Sequence, residues 1–462
     1  MGRKSPYSAR HFLYFFPFLF IIGCSAKDVG ATEEVVAVVN GVSISRRDLI
    51  HRFELTPLVG NKGPGDKHER VLNIMIDELV VSQWVDREGV VLPGGYHRAI
   101  EFITEQASIR ELFRQRFENL PAVDSGLIVQ AVGKSSRELT IQTIFTESPI
   151  ISMSWGETTH NGETFTKLLA GSGDHPEIHI SQSIFHWGDG NVPEKIEALA
   201  YGMELDEVSA VVPVNRGFAM IKLIGMEREL IMTESSYSGK WLAAKKQLRA
   251  RRENREGQKY LAKIMKNIDI TQRAAGFQEV AQYLEQQLQD QPDQPEDEAA
   301  VRMDETPFLP EYNLAMTVVE TPDFIWTGED VLLLLRKYNY QLPANEPDAF
   351  RRKLTGFLKG AVRDHYLSER AKRLDMGSNE RVKSDTRQWS RHFQFRVGIH
   401  AMLQSDTSSA VAGKIASLRE SAAILVHNDI LEQIEFTRIP MLAYWNSDIA
   451  GFLAVPPLIE IQ

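Results

Sequence analysis

Residues 35–50 read VVAVVNGVSISRRDLI. Val35–Val39 is a run of β-formers, and Asn40-Gly41 is the residue pair that best tolerates the positive φ angles of a two-residue hairpin turn. Val42–Ile44 resumes the strand, and Ser45 stands as a helix N-cap. The stretch therefore predicts strand–turn–strand–helix. Working outward, residues 71–92 read VLNIMIDELVVSQWVDREGVVL. Leu72, Met75, Ile76, Leu79, Val80 and Trp84 recur at helical spacing, and Gly89 closes the helix. A further helix is expected from about Tyr96 to Phe117.

The pattern recurs downstream. Val318-Val319-Glu320, Trp326-Thr327 and Asp330-Val331 echo Val38-Val39-Asn40, Ile44-Ser45 and Asp48-Leu49, and the helical stretch 354–376 echoes 72–90. The ends echo as well. Leu261…Ile268-Asp269-Ile270 and Leu418…Ile424-Leu425-Val426 both read as a helix running into a short strand. Residues 240–266 hold ten Lys or Arg against Glu253 and Glu256. With Leu261, Ile264, Met265 and Ile268 at helical spacing, this is a long amphipathic helix with a solvated basic face. Residues 285–305 (EQQLQDQPDQPEDEAAVRMDE, net −7) have the composition of a linker. Residues 137–226 alternate short strands with one clear helix, Glu163–Ala170, and read as an insertion that the second copy lacks.

The chain's 462 residues leave room for two to four domains. With 43% hydrophobic and 25% charged residues it has the balance of a folded chain, and a net charge of −10 argues against a nucleic-acid binder. A single cysteine, Cys24, excludes a disulfide framework and a cysteine-based metal site. Neither a phosphate loop, a dinucleotide fingerprint, an HExxH pair nor a nucleophile elbow occurs, so no metal and no cofactor is expected.

Residues 1–10 carry Arg3, Lys4 and Arg10, and residues 12–22 read FLYFFPFLFII. That apolar run is well short of the roughly twenty residues of a membrane span and fits an export signal. It ends in Ile21-Ile22-Gly23-Cys24, which resembles a bacterial lipobox, with Ile22 in place of the more usual Ala or Ser. The resemblance implies a lipid on Cys24 and a body tethered to a membrane. Ser25 after the cysteine implies the periplasmic face of the outer membrane in preference to the inner one.

The strings Ala37-Val38-Val39-Asn40-Gly41, Ile44-Ser45, Asp48-Leu49 and Leu72–Leu79 resemble the N-terminal chaperone domain of the SurA/PrsA/PpiD group of periplasmic foldases. Residues 137–226 resemble the PpiC-type parvulin, a peptidyl-prolyl isomerase domain. The carrying residues are Val192-Pro193-Glu194 through Ala200-Tyr201, Asp206-Glu207-Val208-Ser209 and Gly217–Lys222, with Thr143-Ile144-Phe145-Thr146 upstream. The fold implied is α+β and multidomain: a signal (1–24), a helical SurA-N-like chaperone unit (33–136), the parvulin α+β domain (137–226), a long basic helix and closing strand of the first unit (227–284), the linker (285–305) and a second helical SurA-N-like unit (306–462).

Prolyl isomerisation lowers a barrier of about 18–20 kcal/mol that arises from amide resonance. It requires an apolar slot for the proline ring and hydrogen bonds that favour the twisted amide. By resemblance, the first-strand histidine of the family falls at Thr143 and the closing-strand histidine at Ala219. The Met and Phe of the slot fall at Val192 and Ile196. Asp174 occupies the Asp/Cys position, and Phe185 and Phe218 are further candidate contacts to substrate. The resemblance thus implies a foldase with an eroded isomerase site, acting mainly as a chaperone. Its partners would be unfolded or nascent secreted or outer-membrane polypeptides, and the membrane through Cys24. The alternatives are an active isomerase and a structural or adaptor lipoprotein.

Overall fold

The computed structural model describes residues 34–55, 66–93, 95–156, 162–171, 177–214, 217–229, 233–289, 312–338, 340, 347–404 and 407–436. Cys24, Asp174 and most of the expected linker lie outside these. No helix among the described residues is long and apolar enough to cross a membrane. Mixed helix and sheet make the chain α+β, as expected.

In chain order, β1 (Val35–Val39) and β2 (Val42–Ser45) lead into α1 (Arg46–Leu55), α2 (Lys67–Glu88), α3 (Gly95–Glu118) and α4 (Ser125–Ser135). Next come β3 (Arg137–Thr146), α5 (Pro149–Gly156), α6 (Gly162–Gly171), β4 (Ile178–His186), α7 (Glu194–Ala200), β5 (Val212–Val214) and β6 (Gly217–Arg228). The rest is α8 (Glu234–Met265), β7 (Thr271–Gln272), α9 (Ala274–Gln289), β8 (Thr317–Glu320), β9 (Ile325–Thr327), α10 (Gly328–Lys337), α11 (Pro347–Arg373), α12 (Glu380–Leu403), α13 (Ser408–Ser421), β10 (Ile424–Val426) and α14 (Asn428–Leu431). Because α9 runs to Gln289, the first residues assigned to the linker are helical. The chain divides into two compact units. The helical unit holds the described residues up to 118 and from 261 onward, and the insert unit holds 119–260.

In the helical unit, Asn40 (φ 49°) and Gly41 (φ 82°) form the turn between β1 and β2. Ser45 and Asp48 then cap α1 reciprocally. The Asp48 N–H donates to Ser45 Oγ and the Ser45 N–H to Asp48 Oδ2, both at 3.1 Å. The same device recurs at Thr327 and Asp330 between β9 and α10. Two strand–turn–strand–helix motifs therefore carry the same cap at the same three-residue offset, in the two places where the sequence echoes itself.

Their third strands differ from the sequence expectation. β7, expected to close the first unit, pairs antiparallel with β8 of the second hairpin. β10, at the end of the second copy, pairs antiparallel with β1 of the first. The strand orders are β10-β1-β2 and β7-β8-β9, so the two copies exchange closing strands. The cores follow. One gathers Val36, Val39, Ile44 and Leu49 with Leu72, Ile76 and Leu79 of α2, and adds Ile399 and Met402 of α12 and Val411 of α13. The other gathers Val318, Val331 and Leu335 with Leu354 and Leu358 of α11, and adds Met265 of α8 and Val280 and Leu284 of α9. The described residues of 306–462 thus do not enclose a core of their own.

Polar ties join the same helices. Asp48 also accepts from the Gln388 side chain of α12 (2.8 Å) and from the Ser384 hydroxyl. Burial opposes ionisation of this carboxyl, but the donors from Ser384, Ser45 and Gln388 outweigh it and hold the group below the ordinary carboxylate range. Buried Glu78 of α2 accepts from Arg52 of α1 and lies 2.8 Å from His392 Nδ1 of α12.

The insert unit centres on an antiparallel sheet of order β4-β3-β6-β5. One face packs under α7, the other under α5 and α6. The unit extends beyond 137–226 on both sides. Ile128, Ala131 and Val132 of α4 bury against Ala244, Trp241 and Leu248 of α8, a core that neither helix could make alone.

Candidate functional site

Strand alternation sorts the candidate residues. On β3, Leu139, Ile141, Thr143 and Phe145 point to the α7 side, and on β6 so do Ala219, Ile221 and Leu223. Register aligns Thr143 with Ile221 on one side and Ser181 on the other, and Phe145 with Ala219 and His179. Above them, Ile196 of α7 is buried and Val192 packs against the same cluster. Phe185 lies buried on this face, edge-on to Tyr201 with ring centroids 6.1 Å apart. Thr143, Ala219, Val192, Ile196 and Phe185 are therefore brought to one sheet face. Phe218 is not, because it sits between Ala219 and Gly217 on β6 and points to the opposite face, aligned with Thr146 and Pro213.

The face is an apolar wall (Phe145, Ala219, Val212, Ile221, Ile196, Val192) bordered by the hydroxyls of Thr143, Ser181 and Ser183. Among the described residues its imidazole is His179, on the exposed strand β4 and stacked on Phe145 with centroids 6.2 Å apart. His186 lies on the other face of β4, near Glu138 and Asp189. The Tyr201 hydroxyl donates to the Arg137 carbonyl at 2.7 Å, and burial pushes its pKa up to about 12, so it stays neutral and structural. Among the described residues no group of three or more His, Cys, Asp or Glu is placed to hold a metal ion.

What positions α7 was not legible in the sequence. Glu197, 2% exposed, accepts hydrogen bonds from Arg251 of α8 on both carboxylate oxygens, at 2.7 and 2.9 Å. It also accepts from the Gly188 N–H at 2.7 Å, while the Arg251 guanidinium stacks on Trp187 at 4.5 Å. This clamp fixes α7, and with it Ile196, to the turn that follows β4 and to α8. The partners lie 54 residues apart, and Arg251 sits in the basic run 240–266, whose spacing reads as a solvated face.

No family model matches the chain, and no curated protein matches it. Similar solved structures include the foldase protein PrsA from Streptococcus pneumoniae, 12% identical, with 48% of this chain and 93% of that one covered at a TM-score of 0.20. The peptidylprolyl isomerase PrsA from Bacillus cereus is 16% identical, with 50% and 93% covered at a TM-score of 0.20. A SurA-like chaperone of Campylobacter jejuni is 14% identical, with 50% and 97% covered at 0.19. These neighbours are PrsA- and SurA-like foldases. At such scores the overlap is too loose to transfer the role of any residue.

Proposed function

We propose that this chain is an exported, lipid-anchored foldase of the SurA/PrsA/PpiD type, which holds unfolded secreted or outer-membrane polypeptides and has an eroded prolyl-isomerase site. The observation that carries the reading is the α7 face of the insert sheet. Thr143, Ala219, Val192, Ile196 and Phe185, among the residues that the parvulin resemblance assigns to the site, share that face, and its apolar half is intact. Ile196, Val192, Phe145 and Val212 can line a slot for a proline ring or another apolar side chain. The catalytic half is not intact. Thr143 can donate one hydrogen bond and Ala219 none, and His179 stands on the edge strand away from both family positions. Burying a proline ring without favouring the twisted amide stabilises ground and transition states alike, which binds without accelerating.

The reading predicts suppression of client aggregation together with near-background turnover in a protease-free prolyl-peptide isomerisation assay. Robust turnover would overturn the erosion, and failure in both assays would leave an adaptor lipoprotein. Anchoring rests on Cys24. Cys24→Ser should abolish lipid labelling and release the protein, and unchanged membrane partitioning would refute it.

A further inference from the structure

The insert sheet has two edges of opposite character. β5 is three residues long with Pro213 in the middle, so it is blunted against further pairing. β4 is nine residues long, pairs with β3 from Ile178 to His186 without a register shift, and among the described residues has no strand on its outer side. Its sequence, Ile178-His179-Ile180-Ser181-Gln182-Ser183-Ile184-Phe185-His186, contains no Lys, Arg, Asp, Glu, Pro or Gly. From Ile178 to Phe185 it carries no charge, proline or bulge of the kind that keeps an edge from pairing, and only at its end is an N–H, that of His186, already taken by Asp189 Oδ2 at 2.7 Å. Ile180 and Ile184 are 38% and 56% exposed, although both lie in a regular strand.

We propose that the outer edge of β4 is a self-association surface, on which a second copy of this chain pairs its own β4 antiparallel about Gln182. The occupant is argued from the strand's near-palindrome. A two-fold axis through Gln182 sets Gln182 opposite Gln182, Ser181 opposite Ser183 and Ile180 opposite Ile184 in each direction. An isologous contact requires this self-complementarity, in which residue i meets j and j meets i. The register brings four exposed isoleucine side chains together on one face, pairs serine hydroxyls on the other, and sets two amides able to hydrogen-bond each other on the axis. No charge opposes a like charge along the strand.

Two four-stranded sheets would join into one of eight, and parity keeps corresponding faces on the same side. Both α7 faces would then look the same way, and a client engaging one would meet the second at raised effective concentration. The inference does not depend on the foldase reading, since it concerns the edge of the sheet and not the chemistry of its face.

The test uses the chain from Ser25 to Gln462. Because Cys24 is the only cysteine, this chain is a cysteine-free background. Opposed residues of an antiparallel pair have Cα atoms about 4.5–5.5 Å apart, inside the range that a disulfide spans. Gln182→Cys should therefore oxidise to a covalent dimer, far faster than Leu205→Cys, a control 57% exposed. Ser181→Cys and Ser183→Cys should cross-link to each other when mixed and only slowly each with itself, which fixes the register. By sedimentation, Ile184→Lys, which enters the interface twice by symmetry, should weaken association about tenfold or more. Its side chain is exposed, so the fold should survive, as circular dichroism would verify.

A chain that stays monomeric at high concentration overturns the proposal, as does equal cross-linking at positions 182 and 205. A monomer whose β4 amides gain exchange protection only when an extended peptide is added would make this edge a client site instead, and would also overturn it.

Discussion

Gly398→Ala is the perturbation most diagnostic of the exchanged architecture. Gly398 lies inside α12, in the second half of the chain, where a Cβ would meet Val81 Cγ1 at 2.7 Å and Val85 Cγ2 at 2.8 Å on α2. In an open helix the substitution would stabilise, because alanine is favoured over glycine by roughly 0.5–1 kcal/mol. Here both neighbours are β-branched, stiff at χ1 and buried, at 0% and 1% exposed. They cannot yield, and overpacking of this kind costs about 1–3 kcal/mol. The clash wins, with a net loss of about 1 kcal/mol. Gly413 supplies the control, since it lies inside α13 of the same unit and a Cβ there would have nothing within 4 Å. Gly413→Ala should gain what Gly398→Ala forfeits. Urea titrations of both variants followed by circular dichroism would give midpoints moving in opposite directions. A gain for Gly398→Ala equal to that for Gly413→Ala would refute the packing of α12 on α2, and with it the shared core.

A fragment of residues 306–462 should lack a cooperative thermal transition, because Leu354 and Val331 would lose α9 and Ile399 would lose α2. Restoration on mixing with residues 25–289 is the expected complement, and a cooperative melt of the fragment alone would contradict the exchange. Asp48 makes stability fall in acid. Its folded carboxyl ionises more readily than the unfolded one, so its contribution is complete above the ordinary value of 3.8 and is lost as pH falls through the lower folded value. The stability gap between wild type and Asp48→Asn should accordingly shrink below that pH, as a series of urea titrations would check. Arg251→Ala strands the Glu197 carboxylate in a site 2% exposed and should cost the insert unit about 3–5 kcal/mol. Hydrogen exchange in α7 and the 186–190 turn should accelerate first, whereas the double variant Arg251→Met/Glu197→Gln should be milder.

Local chemistry explains how far the sequence could be read. Asn40-Gly41, Ser45 and Gly89 act within a turn or a cap, so their roles follow from neighbouring residues, and the helices they bound were expected within a few residues. The resemblance named Thr143, Ile196, Phe185 and Phe218 as candidates without saying which face each takes, and the sequence could not show that Phe218 faces away from the others, because β6 is buried on both sides. Residues 217–221 are nearly all apolar there, and such a strand carries no alternation to reveal parity. The clamp between Glu197 and Arg251 was illegible for a different reason, since a charge's partner is set by tertiary approach and spacing on one helix only shows which face it occupies.

The exchange of closing strands has the same origin and a further consequence. β7 and β10 are two and three residues long, each following a helix, and each could add to either valine-rich hairpin, because the hairpins share their pattern and their cap. Only packing outside the strands distinguishes the partners. β10 is carried to β1 by α12 and α13, which seat on α2 through Gly398 and through the Arg419 bonds to Asp77 and Asn73. Its arrival is then sealed at Asn40, whose N–H donates to the Ala423 carbonyl and whose side-chain oxygen accepts from the Ala423 N–H, both at 2.9 Å. Each half of the chain therefore protects the other's open strand. A truncation that removed β10 would bare β1, with its run of valines and a row of unpaired backbone groups, and so would convert damage at the C-terminal end into an aggregation-prone edge in the N-terminal hairpin.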